Sequence, residues 1–152
     1  MRTATSKTKR RQRTLGNTKV LFHPVAPETL TWGVTRTRIE SNEVIVSDRE
    51  RTVLDALERP RLLGSLRILA ALFPEVVAKL DVQQLVAYAL RAGSTASCQR
   101  LGALLERVQT GPRVLAPLRR RVESSLSLLS LIPGEPRVGR LNQRWRVIEN
   151  DR

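Results

Sequence analysis

The helical part of this chain begins at one sharp boundary. Ser47-Asp48-Arg49-Glu50 has the spacing of a capping box, in which the first hydroxyl accepts a bond from a free backbone N–H and the carboxylate reaches back. It predicts a helix from Asp48 to about Arg59 that buries Val53, Leu54 and Leu57 and stops before Pro60. What precedes the boundary reads as strand and loop. Val20-Leu21-Phe22 is a short apolar strand ended by His23-Pro24, and Pro24 and Pro27 mark a loop because proline lacks a ladder donor. Thr35–Glu40 and Val44–Val46 are expected to pair as a hairpin across a turn at Ser41-Asn42, with Arg36 and Arg38 on one face.

Beyond Pro60 the helical spacing continues. Ser65 is read as the cap of a helix carrying Leu66, Leu69, Ala70 and Phe73 and ended by Pro74. Asp81 and Gln84 form a second capping box, followed by Val82, Leu85, Val86, Ala89 and Leu90 on one face and Gly93 as the C-terminal cap. Ser94 or Thr95 caps the next helix, which extends to about Gln109. Val114, Leu115, Leu118 and Val122 mark one more apolar face, with Arg119, Arg120 and Arg121 directed away from it. Near the end Trp145 and Val147 alternate with Arg144 and Arg146, as in a final strand. The expected class is α+β, with short N-terminal strands or a hairpin and a C-terminal strand around a central helical bundle. Aromatic residues are 3% of the 152, so the core must rest on Leu, Val, Ile and Ala. One domain is expected over residues 14–152, behind a flexible basic arm at residues 1–13.

Charge is the strongest pointer to a partner. The formal net charge is +13. Residues 1–27 hold seven basic residues and no acid, while residues 28–152 hold twenty against fourteen. By counterion release such an arm suits a polyanion, and Lys7, Lys9, Arg10, Arg11 and Arg13 are the candidate contacts to DNA or RNA. Arginine far outnumbers lysine, which compositional bias alone would also give. Arg119, Arg120, Arg121, Arg144 and Arg146 are further candidates, for an acidic or a nucleic-acid partner, and each equally suits a solvated face. Trp145 could stack on a base, although its alternation with Val147 favours the core.

Residue types that carry catalysis are sparse. His23 is the single histidine, with no nucleophile or second ligand at a recognisable spacing. Asp48, Glu50 and Asp55 could in principle hold Mg²⁺. The bland account gives Glu50 to a cap, Asp48 to the helix dipole and Asp55 to an i, i+4 pair with Arg51. No Gly-rich phosphate loop is present. Cys98 is the only cysteine and keeps helical spacing with Leu101, Leu105 and Val108, so it reads as a small buried hydrophobe. No enzyme activity, metal or cofactor is expected. No apolar run approaches the ~18 residues of a membrane span and no secretory signal stretch is evident, so a cytoplasmic protein with no membrane partner is expected.

Three stretches, in order, resemble the antitoxin domain of the AbiEi family, the antitoxin-regulators of bacterial type IV toxin–antitoxin systems. The first is Val46-Ser47-Asp48-Arg49-Glu50-Arg51-Thr52-Val53-Leu54-Asp55, continuing to Arg59-Pro60. The second runs from Tyr88-Ala89 through Gly93-Ser94-Thr95-Ala96 to Arg100-Leu101-Gly102-Ala103-Leu104-Leu105-Glu106. The third is Asn142-Gln143-Arg144-Trp145-Arg146-Val147 with Asn150. The likeness covers about residues 13 to 150, with Gly64-Ser65 where the family has a pair of glycines. It does not include the family's winged helix-turn-helix, so operator binding through that module is not implied. It does imply a non-enzymatic antitoxin and transcriptional-regulator domain of an abortive infection system, opposing a nucleotidyltransferase-like toxin. The alternative is a free-standing basic DNA- or RNA-binding protein, or a structural protein of a ribonucleoprotein.

Overall fold

Among the described residues, strands dominate before the boundary at Ser47, and helices followed by a small sheet come after it. The computed structural model describes residues 2–5, 11–15, 17–63 and 66–151. Their mixture of helix and strand is that of an α+β protein. The chain divides into two compact units, residues 1–48 and 49–152, so the division falls at the helical boundary and not at residue 13.

In the first unit β3 (Thr18–Pro24) lies between β1 (Arg2–Thr5), to which it is parallel, and β2 (Arg11–Leu15), to which it is antiparallel. The arm expected over residues 1–13 overlaps both of these strands. Residues 2–5 and 11–13 are strand, and residues 6–10 lie outside the described residues. The physical reason is that a central strand offers unpaired N–H and C=O groups along both edges, and ladder bonds ask little of the flanking side chains. Past a 3-10 turn at Pro27–Leu30, β4 (Val34–Ile39) and β5 (Asn42–Ser47) pair as the expected hairpin. Its two-residue turn is Glu40-Ser41, one position earlier than the sequence suggested, because Asn42 pairs with Ile39. Glu40 takes φ +55°, a left-handed conformation uncommon outside glycine and asparagine.

The second unit is built around α6 (Thr95–Arg107), which is buried on nearly all sides: Ser97, Cys98, Gln99, Leu101, Gly102, Ala103, Leu104 and Leu105 are all inaccessible or nearly so. Against it lie α1 (Arg49–Glu58) and α7 (Pro112–Val122), with α5 (Val82–Ala92) packed on both of those helices. Most of the apolar faces read from spacing are buried: Val53, Leu54 and Leu57; Leu85, Val86 and Ala89; Leu115, Leu118 and Val122. Leu90, expected on the α5 face, is instead exposed, and Val82 and Val114 are half-buried. Between α1 and α5 run three short helices, α2 (Pro60–Leu63), α3 (Leu66–Ala71) and α4 (Phe73–Val77). Pro74 opens α4 where a stop was expected, since the first turn of a helix tolerates a missing N–H. Ser65, the expected cap of this region, lies outside the described residues. The chain ends in a small sheet of order β6 (Leu129–Ser130), β8 (Val147–Glu149), β7 (Arg140–Asn142).

Two carboxylates of α1 join these helices. The capping box at Ser47 and Glu50 is corrected: Ser47 ends β5, and the helix starts at Arg49. The buried Glu50 instead accepts the backbone N–H of Asp81 at 2.8 Å. Asp81 in turn caps α5 by accepting from Gln84 N at 3.0 Å. Thus the half of the second capping box that Gln84 was expected to supply comes from α1, and the Gln84 amide donates to Tyr88 Oη at 2.8 Å. Two turns further on, Glu58 accepts the backbone N–H of Ser94 and the hydroxyl of Ser97 at the start of α6. Both carboxylates sit where a helix N-terminus favours negative charge.

Cys98 is fully buried, with Sγ 3.5 Å from Ala89 O. Burial pushes its thiol up to about 11, helped by Glu58 and opposed by Arg121. An unfolded thiol ionises near about 8.5. The folded value is the higher, so this stabilisation is complete below about pH 8.5 and is lost as pH rises towards about 11. Alkylation of Cys98 is expected to proceed only through unfolding, at a rate that follows the denaturant dependence of unfolding. Labelling of the native protein at the rate of a free thiol would contradict the burial.

Candidate functional site

The sequence candidates separate into three groups. Lys7, Lys9 and Arg10 lie outside the described residues. Arg11 and Arg13 are in β2, paired with Phe22 and Val20 of β3. Removing residues 1–13 would therefore remove β1 and much of β2 together with the charge. The remaining candidates belong to the second unit, where four of them meet.

Arg119 and Arg120, in the last turn of α7, line a cleft of about 370 Å³ with Arg144 and Arg146, from the turn between β7 and β8. Ala116, Val122, Glu123 and Gln143 complete the lining. The helical face of α7 explains one wall. Leu115, Leu118 and Val122 are buried, which leaves Arg119, Arg120 and Arg121 exposed. Arg121 is not part of the cleft lining. None of these three has an ion-pair partner among the described residues.

The other wall is held in place by α6. Trp145, fully buried, lies over Gly102, where a Cβ would come within 2.2 Å of the indole ring. It belongs to a turn and not to the expected strand, because Arg146 takes φ +54° and the strand begins at Val147. Its burial removes base stacking from consideration. The Gln99 amide donates to Trp145 O and Ser127 O, both at 2.9 Å. On either side of the tryptophan the arginines are partly engaged: Arg144 pairs with Glu106 of α6, and Arg146 donates to Ser125 O. Glu106 also accepts from Asn142 Nδ2 at 2.9 Å. One turn position further, Arg107 makes a two-pronged pair with Asp151 at 2.6 and 2.8 Å and reaches Glu149 at 3.3 Å. Its guanidinium is raised above the ordinary value, chiefly by the hydrogen bond to Asp151.

The two candidate carboxylates of α1 are engaged separately. Asp55 accepts from Arg51 Nε at 3.0 Å, the expected i, i+4 pair, and Glu50 is engaged at Asp81. His23 lies in β3 opposite Ala4. Among the described residues no group of three His, Cys, Asp or Glu is placed to hold a metal ion. No helix among them is long and apolar enough to cross a membrane.

Sequence reading did not anticipate that Arg144 and Glu106 are partners, nor that Asn150 is a structural clamp. Their separations of 38 residues and, for Asn150 with Ile132, 18 residues carry no local periodic signal. Comparisons with protein-family models, curated proteins and solved structures give no match.

Proposed function

We propose that this chain is a non-enzymatic antitoxin-type regulatory domain that opposes a nucleotidyltransferase-like toxin. The observation that carries the reading is the way the three stretches resembling the AbiEi antitoxin domain bind one another. Glu58 of the first stretch joins Ser94 and Ser97 at the second. Gly102 and Glu106 of the second receive Trp145, Asn142 and Arg144 of the third. Stretches far apart in sequence thus supply the groups that hold one unit together, as expected if the resemblance reflects a shared domain and not chance composition. A fold alone does not define an activity, so the test must be functional. Co-expression with a nucleotidyltransferase-like toxin encoded beside this chain should restore growth to cells that the toxin arrests. Unrelieved arrest, with soluble folded chain present in excess of toxin, would remove the reading.

A further inference from the structure

We propose that the arginine cleft between the end of α7 and the β7–β8 turn binds the phosphate backbone of duplex DNA without regard to base sequence. This goes beyond the antitoxin reading and does not depend on it.

The lining carries four arginines against one carboxylate, Glu123. A simpler role for the arginines of α7 would be to complement the helix dipole. The C-terminal end of a helix is equivalent to only about half a negative charge, whereas Arg119, Arg120 and Arg121 bring a full charge each to that turn. The excess is not used within the fold, because none of the three has an ion-pair partner among the described residues. Across the cleft Arg144 and Arg146 are each fixed through one terminal nitrogen, to Glu106 and to Ser125 O. A guanidinium has five N–H donors in a rigid fork, so each retains donors for a phosphate while its position is set by the protein. Fixed guanidinium groups suit phosphate because they give directed pairs of hydrogen bonds as well as charge.

The same lining selects among polyanions. Single strands are held by aromatic platforms on which bases stack. The lining has no aromatic side chain, and Trp145 is fully covered. Duplex RNA is held by its shape and by combined 2′-hydroxyl and phosphate contacts across its minor groove, and for the hydroxyls the lining adds to its arginines one neutral hydrogen-bonding side chain, Gln143. A bound peptide would want apolar anchors, and the lining provides only Ala116 and Val122. Charge without stacking or apolar contact is the signature of backbone binding, which positions a protein on DNA and carries no sequence information.

Each phosphate contact adds about 0.9 to the slope of log affinity against log salt. With the full chain and two labelled DNA duplexes of unrelated sequence, Arg119→Ala/Arg120→Ala should lower that slope by about 2 on both. Each single variant should lower it by about 1, and Arg119→Lys/Arg120→Lys should retain it. Arg113→Ala, which removes the same charge from the exposed first turn of α7 outside this cleft, should leave it unchanged. Circular dichroism of every variant reports that the helices persist. An unchanged slope in both single variants and the double variant would overturn the proposal. So would tighter binding to single strands or duplex RNA than to duplex DNA, selective loss on one sequence, or no binding by the wild type at low salt. Loss of binding to polyglutamate with DNA binding intact would assign the cleft to an acidic protein instead. No toxin enters the measurement, so its outcome is separate from that of the growth assay.

Discussion

Gly102→Ala is expected to destabilise the protein by about 3 kcal/mol, although the same change in a helix interior ordinarily stabilises by about 1 kcal/mol. The sign reverses because the added Cβ would lie 2.2 Å from Cε3 and Cζ3 of Trp145 and 2.5 Å from Cδ2. The ring has no accessible surface and is the largest fully buried side chain. It cannot swing outward without disturbing the bond from Gln99 to its carbonyl and the turn that carries Arg144 and Arg146. Interiors are packed at the density of organic crystals, so an overlap of this size must displace neighbours. Urea melts of the variant measure the loss. Combining Gly102→Ala with Trp145→Leu should cost clearly less than the sum of the single changes, since the two positions share one contact. A stabilised Gly102→Ala protein would mean that the indole does not lie on α6.

Asn150→Ala is expected to cost about 3 kcal/mol and to lower Tm by about 10 °C. The side chain is 4% exposed and makes three bonds to backbone. Oδ1 accepts from Ile132 N at 2.9 Å, and Nδ2 donates to Ile132 O at 3.1 Å and Pro136 O at 3.0 Å. Alanine would leave the buried Ile132 with both polar groups unpaired, and the expense lies in those orphaned groups more than in the lost bonds. Asn150→Asp should not recover the stability, because a carboxylate keeps the acceptor but loses both donors. Thermal unfolding of the two variants checks this. Near wild-type Tm for Asn150→Ala would show that water or another side chain can replace the clamp.

What the sequence made legible is what repeats. The helix period revealed the buried faces of α1, α5 and α7, and the alternation around Trp145 indicated its burial even though the residue sits in a turn. α6 was harder to read as the centre, because a helix covered on nearly all sides carries Ser97, Gln99 and Gly102 where a one-sided helix would show solvent-facing residues. The capping motif failed for a different reason. Its spacing describes a local bond, whereas Glu50 is taken by Asp81, 31 residues away. Composition likewise described residues 1–13 by their side chains, while β1 and β2 form through backbone pairing with β3. The cleft could be seen only as separate basic clusters, since nothing in the chain between Arg120 and Arg144 signals that α7 and the β7–β8 turn face one space.

The antitoxin reading is tested most directly by growth of toxin-expressing cells as a function of the amount of folded chain supplied. Wild type, Gly102→Ala and Asn150→Ala should fall on one curve, with rescue declining as the folded fraction declines and disappearing with it. Growth that stays arrested at every level of folded wild-type chain would contradict the account.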